Sequence, residues 1–268
     1  MSSFAAPLTR AQAARIRELY RDKRARKAEG AFIIEGAKLV YDVLARHATC
    51  VQMLVAAAGH QQRETDQQRL VRESVDVISF RCPARLFSSL SDLESPQGIL
   101  AVVRQPSWNE GEVFDNPRIF GLYGEQLQDP ANVGAIIRTA AALSADALWL
   151  SHESADIYNP KVVRATAGAL LSLPIFCVRD VAVFASRGCV IFAAESGTRD
   201  TVQMETIRNV PKRLVVALGN ESRGLSAQTI KQAACRFTIP LARQIESLNV
   251  AATAAIALHY FSRLPKKT

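Results

Sequence analysis

Beyond residue 118 the chain alternates short apolar stretches with helical segments, and that alternation leaves few folds open to it. Residues 119–123, 147–150, 174–178, 189–194, 214–218 and 236–239 read as buried strands. Helices are expected near 131–144, 160–170, 227–234 and 248–263. Strands of this kind, each followed by a helix, require a mostly parallel sheet covered on both faces. In such sheets, ligands bind beyond the carboxyl ends of the strands. The earlier part of the chain is also α/β. Strands are expected at 31–34, 51–55, 75–80 and 98–103, with helices near 37–46, 60–72 and 83–90. Between the halves, residues 106–117 lose periodicity and gather proline, glycine and acidic residues, which is a linker signature. The expected organisation is a domain over 1–105, a linker over 106–117 and a second domain over 118–268.

Charge narrows the class of partner. The 268 residues carry a net charge of +8, which favours a polyanion. Arg10, Arg15, Arg17, Arg21, Lys23, Arg24, Arg26 and Lys27 crowd the first helical segment, diluted by Glu18 and Asp22. Ile16, Leu19 and Tyr20 supply one narrow apolar stripe, so one face docks and another stays basic. Cys50, Cys82, Cys177, Cys189 and Cys235 are scattered without CxxC pairing, and the histidines are dispersed. That pattern fits reduced thiols in a cytoplasmic protein and neither a metal site nor a disulfide framework. No apolar run reaches the roughly 18–20 residues that span a bilayer, and the N-terminus lacks the apolar core of a secretory signal.

Four segments are candidates for chemistry. In Leu127-Gln-Asp-Pro-Ala-Asn-Val-Gly-Ala-Ile-Ile-Arg138, Asp129 is a suitable N-cap and Pro130 fits the first helical position. Arg138 sits among small and apolar residues, either as an exposed surface cation or as a guanidinium awaiting a phosphate. In Asn159-Pro-Lys-Val-Val-Arg164, Lys161 and Arg164 share one helix face. In Gly219-Asn-Glu-Ser-Arg-Gly-Leu-Ser226 the glycine spacing matches a phosphate loop, but Leu225 stands where the lysine that reaches the terminal phosphates is required, which excludes that class of nucleotide hydrolase. What remains is either a tight strand-to-helix turn or a loop whose backbone approaches a ligand with Glu221 beside it. Near the C-terminus, Ile239-Pro runs through a polar loop to Ser247-Leu-Asn249 and an alanine-rich helix.

Together, Asn132…Arg138, Gly219-Asn-Glu221…Gly224 and Ile239-Pro…Ser247-Leu-Asn249 resemble, in order and placement, the three motifs of the SpoU (TrmH-like) RNA ribose methyltransferases of the SPOUT superfamily. The resemblance covers roughly residues 118–264. Phe32-Ile-Ile-Glu-Gly36 and Ser95-Pro-Gln-Gly-Ile-Leu100 resemble that family's ribosomal-protein-like RNA-binding domain. The resemblance implies a smaller α/β RNA-binding domain followed by a parallel-sheet methyltransferase domain, in which the C-terminal chain threads a loop into a trefoil knot. It also implies a homodimer and an S-adenosylmethionine pocket lined by Leu218, Gly219, Ile239 and Leu248. Asn132, Arg138, Glu221, Ser247 and Asn249 match its catalytic positions, while Lys161 and Arg164, with Arg21 and Arg24 of the basic segment, fit contacts to RNA. The implied reaction is methyl transfer to a ribose 2′-hydroxyl in structured RNA, ribosomal RNA favoured over tRNA, without a metal. Arg138 would orient the ribose and stabilise the developing alkoxide. Ser222 and Arg243 stand where the family often has glycine, which puts loop conformation in question. A non-catalytic RNA-binding or ribosome-assembly protein on the same fold is the alternative. Binding of S-adenosylmethionine separates the two.

Overall fold

The computed structural model describes residues 6–197, 200–243 and 246–267. The chain forms two compact units, one made of Met1–Ser107 with Tyr158–Leu171, the other of Trp108–Ile157 with Ser172–Thr268.

The first unit is built on a five-stranded sheet in the order β1-β4-β3-β5-β2. Its strands are β1 (Ala6–Pro7), β2 (Ala31–Glu35), β3 (Val51–Ala57), β4 (Ser79–Cys82) and β5 (Ile99–Arg104). β1, β4 and β3 run parallel, and β5 is antiparallel to both β3 and β2. Helices α1 (Arg10–Arg21) and α5 (Ala84–Leu90) cover one face, burying Ile16, Leu19, Phe87 and Leu90 against Ile33, Met53, Val55, Leu100 and Val102. A capping box starts α1: the Thr9 side chain accepts from the Gln12 amide, and Gln12 accepts from the Thr9 amide. α1 ends at Asp22, whose carboxylate accepts from the Arg24 amide at 2.7 Å and so caps α2 (Lys23–Glu29). The basic segment is therefore two helices and not one. Arg26 is buried and donates to the carbonyls of Leu19 and Tyr20 at the end of α1, and Arg15 pairs with Glu29 at 2.5 Å. Helices α3 (Ala37–His47) and α4 (Asp66–Glu73) pack on each other, and α3 also contacts β2, β3 and β5. The strand expected over 75–80 is displaced to β4. Val77 is buried while Ile78 is 67% exposed, and pairing to β3 begins only at Ser79.

The second unit holds a seven-stranded, wholly parallel sheet in the order β10-β13-β9-β12-β6-β7-β8. In chain order the elements are α6 (Glu110–Asp115), β6 (Ile119–Gly124), α7 (Pro130–Ala142), β7 (Ala147–Ser151), α8 (Pro160–Thr166, which clusters with the first unit), β8 (Ile175–Val178), α9 (Ala182–Ser186) and β9 (Val190–Ala194). They continue with β10 (Val202–Gln203), β11 (Val210–Pro211), β12 (Arg213–Leu218), α10 (Ala227–Gln232), β13 (Cys235–Thr238), α11 (Val250–Ser262) and β14 (Lys266–Lys267). β11 and β14 form a separate parallel pair. β12 lies between β9 and β6 and bonds to both, so the strand order reverses beside β6. α7 and α11 pack side by side, and α11 also rests on β12.

Two segments depart from the expected organisation. Residues 109–115 are not a linker: Asn109 caps α6 by accepting from the Gly111 amide at 3.0 Å, and α6 buries Val113 and Phe114. The Phe114 ring lies 5.3 Å from that of Trp149, whose indole N–H donates to Glu110 at 2.8 Å. Six residues make less than two turns, too few to show a helical period. The segment expected as one helix over 160–170 stops at Thr166, because Ala167 takes a left-handed φ of 49°. α8 packs on β2, and Tyr158 lies 5.1 Å from Phe32, so this excursion belongs with the first unit.

Truncating Phe114 tests this reading of α6. Phe114→Ala is expected to destabilise the second unit by about 3 kcal/mol, as for a buried aromatic, measured by urea unfolding followed through tryptophan fluorescence. A linker side chain would cost almost nothing.

Candidate active site

The carboxyl ends of β9, β12 and β13 and the loops beyond them open onto a cleft of about 1470 Å³. It is lined by Gln128, Asp129 and Asn132 from the start of α7, by residues 218–225, by 237–241 and by 246–250. Asn132, Leu218, Gly219, Glu221, Ile239, Ser247, Leu248 and Asn249 all face this one space, although Asn132 and Asn249 stand 117 residues apart in the chain.

The loop after β12 is pulled tight by its own backbone. Asn220 and Gly224 exchange both main-chain hydrogen bonds, at 3.0 and 2.9 Å. The buried Asn220 side chain accepts from the amides of Ser222 and Arg223 and donates to the Gln126 carbonyl at 2.8 Å. Gly219 is required here. A Cβ on it would lie 2.2 Å from the carbonyl carbon of Gly224 and 2.3 Å from the amide of Leu225. Glu125 fastens the far end of the loop, accepting from the Ser226 amide and hydroxyl at 2.9 and 2.7 Å. The sequence reading missed Asn220, Glu125 and Ser226; the only available signal for Asn220 was its position between Gly219 and Glu221.

A single file of side-chain hydrogen bonds joins the three segments. Asn249 caps α11, its Oδ1 accepting from the amides of Ala251 at 2.8 Å and Ala252 at 3.4 Å. That fixes its amide nitrogen outward, where it donates to Asn132 Oδ1 at 2.8 Å. Asn132, 8% exposed, in turn donates to Glu221 Oε1 at 3.1 Å. The Glu221 carboxylate also accepts from the main-chain amides of Asp129 at 3.4 Å and Gln128 at 3.5 Å, just ahead of α7. Partial burial would raise the Glu221 carboxyl, but the bonds from Asn132, its own backbone, Asp129 and Gln128 outweigh it and hold the group below its ordinary value.

The positions that replace a frequent glycine differ from each other. Ser222 lies outside the left-handed region, so its backbone needs no glycine there. Arg243 has φ of 57°, a conformation that costs a side-chain-bearing residue about 1 kcal/mol. Gln126, whose carbonyl receives Asn220, is also left-handed, at 54°.

Arg138 is not among the residues that line the cleft; it sits on the exposed face of α7. Lys161 and Arg164 belong to α8 in the first unit, and Arg164 pairs with Asp92 at 3.4 Å. Arg21 and Arg24 are exposed on α1 and α2. Among the described residues no cluster of His, Cys, Asp or Glu is disposed to hold a metal ion, and no helix is long and apolar enough to cross a membrane.

Residues 120–259 match the SpoU rRNA methylase family, and residues 13–101 match the MRM3-like substrate-binding domain. The chain is 28% identical over 248 residues to the 23S rRNA (guanosine(2553)-2′-O)-methyltransferase RlmP of Bacillus subtilis, covering 89% of this chain and 91% of that protein. It is 29% identical over 252 residues to the 23S rRNA (uridine(2479)-2′-O)-methyltransferase of Streptomyces viridochromogenes, covering 90% and 84%. Among solved structures, an AdoMet-bound rRNA methyltransferase from Sinorhizobium meliloti superposes with a TM-score of 0.79 at 25% identity, over 97% of this chain and 96% of that one.

Because the Glu221 carboxyl is held down in the folded state, its contribution to stability is complete above the value of an unfolded carboxylate and is lost as pH falls through the folded one. Asn132→Asp sets a second carboxylate against Glu221, so the pair shares a proton and the titration moves upward. Carboxyl-carbon NMR of Glu221 is expected to show a midpoint below the ordinary carboxylate value in the native protein and above it in the variant.

Proposed function

The chain belongs to the SpoU rRNA methylase family, and we propose how its cleft serves the family's reaction. The protein is an S-adenosylmethionine-dependent RNA 2′-O-ribose methyltransferase. Relatives that modify a guanosine and a uridine are about equally similar to it, which fits a site that handles the ribose and not the base. Ribosomal RNA is the substrate we assign, since both of those relatives are named for 23S rRNA.

The cleft fits the cofactor. Its walls at Leu218, Ile239 and Leu248 are apolar, and Gly219 presents bare backbone at the end of β12. S-adenosylmethionine, when bound, supplies a methyl on a positively charged sulfur, already activated for transfer without a metal. Transfer would form the O–CH₃ bond as the S–CH₃ bond breaks, leaving the neutral thioether S-adenosylhomocysteine and releasing the 2′-hydroxyl proton to solvent.

We assign the protein side of that step as follows. Asn132 and Asn249 hold the ribose face of the cleft rigid through their bond to each other, and Ser247 offers a hydroxyl at its rim. Glu221, ionised at neutral pH, anchors this file to the loop after β12. A permanently charged guanidinium is a poor base, so Arg138 acts by orienting the ribose and its phosphate and by stabilising the developing alkoxide.

Arg138 does not line its own chain's cleft, and α11 exposes Ala252 and Ile256, the latter 38% exposed. These observations favour a homodimer through the α7 and α11 layer, in which Arg138 completes the partner subunit's cleft. In this reading the C-terminal chain threads a loop to form a knot, and the protein is cytoplasmic.

The single observation that carries this reading is the convergence of Asn132, Glu221 and Asn249 beside Gly219 and Leu248 in one cleft. Calorimetry with S-adenosylmethionine is expected to show binding that Leu248→Arg abolishes. Transfer of labelled methyl to unmodified ribosomal RNA should yield alkali-resistant, 2′-O-methylated nucleotides, and Asn249→Ala should lower the rate at least tenfold. A folded protein that binds no S-adenosylmethionine would leave the non-catalytic RNA-binding reading.

Mixing separates the dimer from the monomer. Arg138→Ala and Asn249→Ala, each expected to be at least tenfold slower alone, should recover part of the activity when their subunits are exchanged, because one mixed cleft then holds both native residues. Full activity in a species that light scattering shows to be monomeric would end the dimer proposal.

A further inference from the structure

We propose that the outward face of the α1 and α5 layer is a backbone-tracking surface for RNA, formed by Arg10, Arg17 and Arg21 of α1 with Arg85 and Ser89 of α5. The proposal rests on the RNA methyltransferase reading and specifies which face of the first unit takes the substrate.

Burial sets the rotation of both helices. Ile16, Leu19 and Tyr20 point α1 into the core, and Phe87 and Leu90 do the same for α5. Arg10, Arg17 and Arg21 are spaced seven and four residues apart and so fall on one outward stripe. At 1.5 Å per residue that stripe is roughly 16 Å long, enough for several successive phosphates of one strand. Ala14 is the other member of the stripe, and its small side chain raises no barrier between Arg10 and Arg17.

Arg17 donates from Nη2 to Ser89 Oγ at 3.2 Å, which ties the two helices into one surface. Arg85 lies one turn before Ser89 on the outer side of α5. Arg10, Arg21 and Arg85 are exposed, and none has a carboxylate partner among the described residues. Arg15 and Arg26 differ: one is spent on Glu29 and the other on helix-end carbonyls. Glu18, at the edge of the stripe, is the sole acid of α1.

A surface of guanidinium and hydroxyl groups without an exposed apolar anchor lacks what protein interfaces need at their centre. It suits phosphate oxygens, which fix register and affinity but carry no base identity. Selection of the nucleotide then lies elsewhere.

The test uses the full chain and a 23S rRNA transcript, with Arg10→Gln, Arg17→Gln and Arg85→Gln combined. A control of equal charge change combines Lys38→Gln, Arg46→Gln and Arg69→Gln on α3 and α4. Affinity for the transcript should fall at least tenfold near 0.1 M salt in the first variant. The slope of log K against log salt should become shallower by about 2 to 3, at roughly 0.7–0.9 per lost phosphate contact. KM for RNA should rise with kcat at saturating RNA kept, and S-adenosylmethionine affinity and thermal melting should be unchanged. Equal weakening by both variants would make the effect one of net charge and overturn the assignment of this face, as would an unchanged salt slope. A native protein that binds RNA through these arginines yet transfers no methyl would overturn the methyltransferase reading and leave this face standing.

Discussion

A carboxylate can only accept hydrogen bonds, and the first amides of a helix can only donate. Glu221 sits at one end of a file of side chains and the start of α11 at the other, so both amides between them have a single allowed orientation. Asn249 must turn its oxygen to the helix and its nitrogen to Asn132, and Asn132 must turn its nitrogen to Glu221. No member can be flipped without setting donor against donor or acceptor against acceptor. This direction locks three distant stretches of chain into one cleft wall.

The parallel sheet supplies the stage for that file. All its strands end on one edge, so the loops after β9, β12 and β13 converge there, and the insertion of β12 beside β6 brings Glu221 to the first turn of α7. The loop after β12 can be this tight only because Gly219 lets the backbone of Gly224 and Leu225 come within a distance no side chain tolerates. Close to it, Gln126, whose carbonyl receives the Asn220 side chain, holds left-handed backbone without glycine.

The two units use charge differently. In the cleft, a carboxylate is kept ionised by neutral donors, so its field is balanced by dipoles. On the first unit, arginines are divided between structure and solvent: Arg26 closes the end of α1 and Arg15 meets Glu29, while Arg10, Arg21 and Arg85 stay open. A count of basic residues does not distinguish these roles, because a buried guanidinium bonded to carbonyls and a free one look alike in sequence.

Most strands and helices could be read from the chain, since a buried strand in a parallel sheet is apolar throughout and a helix repeats its apolar face; β6, β9, β12, α3 and α7 are of this kind. Pro130 after Asp129 marked the start of α7 for the same local reason. Short elements escaped: α6 has too few turns for a period, and β4 slid because Ile78 is apolar yet exposed. Of the site, the residue types were legible and their roles were not. That Asn249 donates to Asn132, that Asn132 donates to Glu221 and that Asn220 donates to the Gln126 carbonyl depend on contacts between segments far apart in the chain. Local sequence determined which elements form, because propensity, capping and burial pattern act over a few residues. Tertiary structure alone decided which polar groups meet, because hydrogen bonding is satisfied over ångströms of space and not along the chain.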